Sequence, residues 1–300
     1  MFAVVVVVSV MFVTIVAHEM GHLLSARYLG VSVSQFGIGL GPKLFGFRRS
    51  RDGCKGEVEW SLHAIPIGGF VRIHGMFAGM QDRERKALLS SGRTEEECSR
   101  LLDYDRLFCN RSGWEQAFVI SAGVVVNIVF SLVTLVLTLW CWGDPSKFQS
   151  EGEQRVESAI LTNDNAQAEN RLSLWEATVE ACSMVKDASV EMVSALQEPV
   201  KNVASPIRVV QETEKVVQRQ MPPGLLWLMT FASFNFCVAF CNILPIPVLD
   251  GGHLVYAIFK GISGVPIPVV IQVVTSLIGF VLISGLMVFA LVRDTLALFR

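Results

Sequence analysis

Charge is scarce in this 300-residue chain: Asp, Glu, Lys and Arg make up 17% of it, against about 25% in a soluble domain. Hydrophobic residues reach 52%, so the composition is that of a membrane protein. A formal net charge of −2 and the lack of any concentrated basic patch exclude nucleic-acid recognition. The cysteines (Cys54, Cys98, Cys109, Cys141, Cys182, Cys237 and Cys241) have no paired zinc-ribbon spacing. Cys237 and Cys241 lie four apart in an apolar run and read as packed thiols, and no disulfide framework is expected with most of the mass in lipid. The opening segment has neither the basic n-region nor the small-residue cleavage site of a secretory signal, so it reads as a retained first span.

What the chain does have is four uncharged runs long enough for a helix of about 20 residues across a bilayer core. They predict an α-helical polytopic membrane protein with transmembrane helices at 1–26, 117–143, 221–250 and 265–292, a short connection at 251–264 and a tail at 293–300. Between the first two spans, 27–116 is polar, with glycine turns and β-branched residues around 33–74 and a charged stretch, 72–112, expected as a solvated loop. Between the second and third, 144–220 is acidic and helix-patterned. Its stretch 172–198 carries Leu174, Val179, Met184, Val190, Val193 and Leu196 among acids, the pattern of an amphipathic helix on the outer surface.

Charge orients the bundle. Segment 27–116 carries 14 Lys plus Arg against 11 acids, and 144–220 carries 8 against 13. The positive-inside tendency puts 27–116 on the cytoplasmic side, with Arg27 and Arg111 close to span ends, where the rule acts. Arg293 and Arg300, at the outer end, are a mild violation. In this arrangement spans one and three both run inward, so their inner ends meet at one depth.

Those inner ends carry the polar residues. His18-Glu19-Met20-Gly21-His22 is an HExxH zinc motif at the end of an uncharged run. Residues four apart share a helix face, so His18 and His22 can present two imidazoles to one ion. A catalytic zinc needs a third protein ligand and an open position for water, and Glu19 is placed to act on that water as a general base. In a soluble protein an isolated HExxH is often chance; two histidines and a glutamate in a span are costly and rarely idle. Asp250 is the candidate third ligand, with His253 its rival a turn nearer the aqueous face. Pro245 and Pro247 break the helix ladder, which suits a chain lining a polar cavity, and Gly251 and Gly252 permit a tight turn behind the carboxylate. Asn242 is placed to hold the scissile carbonyl or its oxyanion. In span two, Gly123 permits close helix contact, and Asn127 serves either the zinc site or interhelical packing.

These motifs together resemble the site-2 protease family of intramembrane zinc metalloproteases, in particular the bacterial regulator of sigma-E protease branch. The resemblance covers most of the chain: the HExxH helix through Arg27, Phe36–Leu44 with Ile65–Val71, Ala122 to Asn127, and Asn242 to Gly252. It implies one Zn2+ per chain held by His18, His22 and Asp250, with Glu19 as the base. It also implies a membrane-associated, reentrant β element whose edge, with Ile67, Gly68, Gly69 and Phe70, pairs with an unwound substrate helix. Expected partners are a membrane protein with a transmembrane helix, an upstream site-1-type protease and the lipid bilayer, in a bacterial inner membrane with the active site near the cytoplasmic face. Three departures stand out. Val124 replaces a usual proline, Gln116 replaces a common arginine, and only 144–171 stands where the branch inserts PDZ domains, so no PDZ gate is expected.

The expected reaction is peptide-bond hydrolysis in or beside a substrate's transmembrane helix, as in regulated intramembrane proteolysis. The rivals are a catalytically silent membrane-protein scaffold or chaperone with a structural zinc, against which the intact Glu19 speaks, and a metal transporter, which needs a polar path that spans two and four do not offer.

Overall fold

The computed structural model describes residues 2–49, 58–76, 81–143, 172–197, 206–217 and 222–298. Helices long and apolar enough to cross a membrane are α1 (Phe2–Tyr28), α4 (Gly113–Trp142), α7 (Pro223–Ile243) and α9 (Val269–Leu298). The protein is a multi-pass integral membrane protein. The run Val4–Val8 in α1 is strand-like by propensity in water. In lipid every backbone amide must be paired within its own segment, and only the helix does that.

The chain divides into two compact units. One comprises Phe12–Asn127 and Val238–Leu282; the other comprises Met1–Met11, Ile128–Cys237 and Ile283–Arg300.

In the first unit α1 is followed by β1 (Val33–Arg49) and β2 (Val58–Ile73), which pair antiparallel. The register places Gln35–Ile38 opposite Arg72–Gly69 and also opposite Glu59–Leu62, so this part of β1 is flanked on both sides by β2. The membrane-associated β element expected at 33–74 is this sheet. Its core is shared with the helices: Phe36 and Val58 pack with Leu23 and Ala26 of α1, Val119 and Ile120 of α4, and Phe108.

The charged stretch expected as a loop is instead folded. It forms α2 (Gln81–Ser90) and α3 (Glu95–Leu101), followed by two short 3-10 turns. Thr94 and Glu97 make a reciprocal capping box at the start of α3, and Leu88, Cys98 and Leu101 close a small core. Ordinary charge patterning hid three apolar residues, enough to fold so short a hairpin onto itself. It is anchored to the sheet by Arg93, which donates to the Ser34 carbonyl at 3.1 Å.

The third span also differs from its expected bounds of 221–250. Helix α7 stops at Ile243, residues 244–249 form a non-helical bend, and a new helix, α8 (Asp250–Ser263), occupies the expected connection at 251–264. The two prolines supply no N–H, so the ladder cannot cross them. The chain folds back so closely that a Cβ on Gly251 would lie 2.2 Å from the Leu244 carbonyl oxygen, and one on Gly252 2.4 Å from that of Ile246. Ser276 of α9 donates to the freed Pro247 carbonyl at 2.9 Å.

In the second unit, α5 (Leu174–Ala195) begins with a Ser173–Glu176 capping box, and α6 (Pro206–Val217) follows. The face of α5 that packs is its alanine face: Ala177 and Ala181 are fully buried with Leu135, Leu139 and Ala232. Small residues let helix backbones approach, so the larger Trp175, Val179, Val190 and Val193 stay outside. Val6 and Val10 pack with Leu226 and Phe231. Residues 144–171, where the sequence suggested no PDZ domain, lie outside the described residues.

Candidate metal centre

The first unit brings together residues from the second half of α1 and from the segment just after the break in the third span. His18 Nε2 lies 3.0 Å from Asp250 Oδ2, His22 Nε2 lies 3.3 Å from the same oxygen, and the two Nε2 atoms are 3.2 Å apart. Tetrahedral zinc with bonds of about 2.0–2.1 Å has ligand–ligand edges of about 3.3–3.4 Å. The three atoms therefore stand where the corners of one zinc face belong. Despite these short approaches, Asp250 Oδ2 is buried and receives no well-directed hydrogen bond, as a carboxylate oxygen reserved for a cation would be. Among the described residues this is the one cluster of three such groups. His253 is not part of it, although it lines the same cavity.

Each imidazole is oriented from behind. His22 Nδ1 stands 2.9 Å from the Val119 carbonyl oxygen of α4, an acceptor that requires Nδ1 to carry the proton and leaves Nε2 bare for a metal. His18 Nδ1 stands 3.2 Å from the side-chain amide of Asn127, a residue with no exposure. With Nδ2 turned to the ring, Asn127 Oδ1 is a buried acceptor without a partner. Turning the amide over satisfies both groups, since Oδ1 then accepts from His18 Nδ1–H and the His18 Nε2 lone pair is freed.

Space for the ion is made by glycine. A Cβ on Gly123 would lie 2.5 Å from His22 Nε2 and 2.7 Å from His18 Cε1. Gly21 plays the reciprocal part on α1, where a Cβ would meet the Ala122 carbonyl oxygen at 2.7 Å. The backbones of α1 and α4 touch at the level of the imidazoles, so a side chain at 123 would displace the donor set. The nitrogen–nitrogen–oxygen donor set, the bare cradle and the orphaned carboxylate oxygen all fit zinc.

A cavity of about 210 Å³ opens on these ligands, lined also by Glu19 and by Gly69, Phe70 and Val71 of β2. A Cβ on Gly69 would lie 3.0 Å from Glu19 Cγ, so β2 crosses α1 directly over the glutamate. Gly68, with φ of 89°, supplies a bend that a side chain would strain. Ile67 lies in the strand, and its side chain is outside the described residues. Asn242 is half-buried near the end of α7 and is not among the residues lining the cavity. Phe108, Met76 and the Val119 carbonyl also face the site. Nothing in the sequence marks a backbone carbonyl, and Phe108 and Met76 sit in the stretch that reads as a solvated loop.

The profile of peptidase family M50 matches residues 6–286, nearly the whole chain. The chain belongs to peptidase family M50. The Synechocystis protein slr1821 is 25% identical over 370 residues, covering 97% of this chain and 94% of its own length. Metalloprotease MmpA of Caulobacter vibrioides is 25% identical over 380 residues, covering 95% and 93%. A Chlamydia trachomatis relative is 36% identical over 134 residues, which is 45% of this chain and 19% of that protein. M50 membership, the membrane helices and the His18–His22–Asp250 cluster make this chain a site-2-protease-type, zinc-dependent intramembrane endopeptidase with a membrane-embedded protein as its substrate.

Proposed function

We propose that the protein cuts peptide bonds in or beside the transmembrane helix of a membrane-protein substrate, with His18, His22 and Asp250 holding one zinc ion per chain and Glu19 as general base and acid. The observation that carries this reading is that Glu19, the three ligand atoms and the β2 edge share one cavity. When bound, zinc polarises the scissile carbonyl and lowers the pKa of a coordinated water. Glu19 takes a proton from the attacking water and passes it to the leaving nitrogen, so the C–N bond breaks to give a carboxylate and an amine. Asn127 and the Val119 carbonyl keep the imidazoles aimed while this happens.

A substrate helix has its amides paired and must unwind before attack. The β2 segment Gly68–Phe70 supplies a place for it: the register pairs 69–72 with 35–38 on one side, leaving the other edge to hydrogen-bond an extended peptide beside Glu19. Asn242 is assigned to the carbonyl or its oxyanion in the substrate-bound state. The charge balance of 27–116 against 144–220 supports a site near the cytoplasmic face of a bacterial inner membrane.

The branch reading, regulator of sigma-E protease-like without a PDZ gate, is supported by alignment length. The 370 aligned positions shared with slr1821 exceed this 300-residue chain, so at least 70 of them face gaps here. A chain without that gate accepts substrates already trimmed by an upstream site-1-type protease. The deciding experiment is co-expression with a single-span substrate. Glu19→Gln retains one zinc per chain and leaves the substrate whole; continued cleavage by that variant sinks the assignment.

A further inference from the structure

A second cavity, of about 170 Å³, adjoins the catalytic one, and the two share Met76, Phe108, Ile120 and His253 in their walls. Its far end differs in chemistry: Lys260, Gln116, Tyr256 and Gln272 line it. Lys260 Nζ donates to the Cys109 carbonyl at 2.8 Å and to the Arg111 carbonyl at 2.6 Å. An ammonium has three donors, so one N–H remains. Among the described residues no carboxylate lies within ion-pair distance of Lys260. Burial pushes its pKa below the ordinary lysine range, an effect that an anionic oxygen alongside would oppose. A wall of Met76, Phe108 and Ile120 shared with the catalytic cavity, and beyond it a cation on which Glu115 acts only from outside ion-pair distance, make a site for a side chain with a carboxylate at its tip.

We infer that this annex is a specificity subsite that recognises an acidic residue of the substrate a few positions from the cleaved bond, through Lys260. The spacing follows from α8, which carries both Asp250 and Lys260. Ten residues at a rise of about 1.5 Å separate them by about 15 Å. An extended peptide at about 3.3 Å per residue covers that in four to five residues, and the reach of a Glu side chain shortens it by about one. The acidic residue therefore stands about three to four positions from the scissile bond. A carboxyl terminus newly formed beside Asp250 lies about 15 Å away and is not the group bound there before release.

This inference rests on the protease reading, and its test separates the two. Single-span substrates are prepared with one Glu moved through six positions on either side of the cleaved bond, each matched to a Gln version. They are cleaved by the full-length protein in neutral detergent, so that no anionic lipid competes. The expected result is a Glu-over-Gln preference of about tenfold in kcat/KM, confined to about three to four positions from the cleaved bond on one side. Lys260→Gln brings the ratio to near one, and Lys260→Arg keeps a preference. Equal cleavage of Glu and Gln substrates at every position of the scan overturns the subsite while leaving the protease intact, and it does so without any variant having to fold. A preference that survives in Lys260→Gln also overturns it. Loss of all cleavage in wild-type protein counts against the enzyme reading instead.

Discussion

The two units differ in how most of their buried polar groups are satisfied, although Ser25 of the unit of 12–127 also turns back to the Gly21 carbonyl. In the unit of 128–237, buried hydroxyls and amides mostly turn back on their own helix. Thr138 donates to the Thr134 carbonyl, Thr213 to that of Val209, and Asn235 to that of Phe231, each four residues back. Trp227, which donates to Ser9 Oγ, is an exception. In the unit of 12–127 the bonds leap along the chain: His22 to the Val119 carbonyl across 97 residues, and Asn127 to His18 across 109. A polar side chain that satisfies itself within one helix makes that helix compatible with lipid and specifies nothing else. One that needs a partner on another helix fixes the register of both, and a metal site needs such fixing.

That contrast predicts a graded set of effects. The largest falls on Glu19: Glu19→Gln lowers kcat by about 10⁴-fold, the upper range for a general acid–base group, with zinc content by atomic absorption unchanged. Next comes Gly123→Ala. Its methyl would stand 2.5 Å from His22 Nε2, and a displacement of about 1 Å costs on the order of 10²-fold in rate; the check is kcat at saturating zinc. Asn127→Ala removes an orienting partner and weakens zinc binding about 10- to 100-fold, measured by chelator competition. Asn127→Asp, which keeps an acceptor for His18 Nδ1–H, recovers most of that affinity. The smallest effect is expected from Thr138→Val in the other unit, where the lost bond only folds back on its own helix and cleavage stays within about twofold. If Thr138→Val and Asn127→Ala lower zinc affinity equally, the contrast between self-satisfied and bridging polar groups is wrong.

Membrane class, the four spans, the HExxH pair and the partnering of Asp250 were legible because each breaks a background expectation: charge where lipid forbids it, or proline where a helix should run. Gly123 was legible only as a small residue. Its use as a cradle depends on which atoms face it, and those belong to a helix about a hundred residues earlier. The α2–α3 hairpin reads as loop in the sequence because Leu88, Cys98 and Leu101 are too few to outweigh the surrounding charge in a window. The end of α7 is not legible because hydropathy continues through Pro245 and Pro247 after the helix has stopped.

By itself the sequence determined the solvent of this protein and the chemistry it carries, since lipid tolerates two imidazoles and two carboxylates only where they are used. Tertiary structure decided the rest: that Nε2 rather than Nδ1 of His22 faces Asp250, that β2 passes over Glu19, and that Lys260 lines a cavity sharing walls with the catalytic one. Those facts arise from backbone carbonyls, bends and missing Cβ atoms meeting across long sequence separations. No local pattern of residue types encodes such meetings.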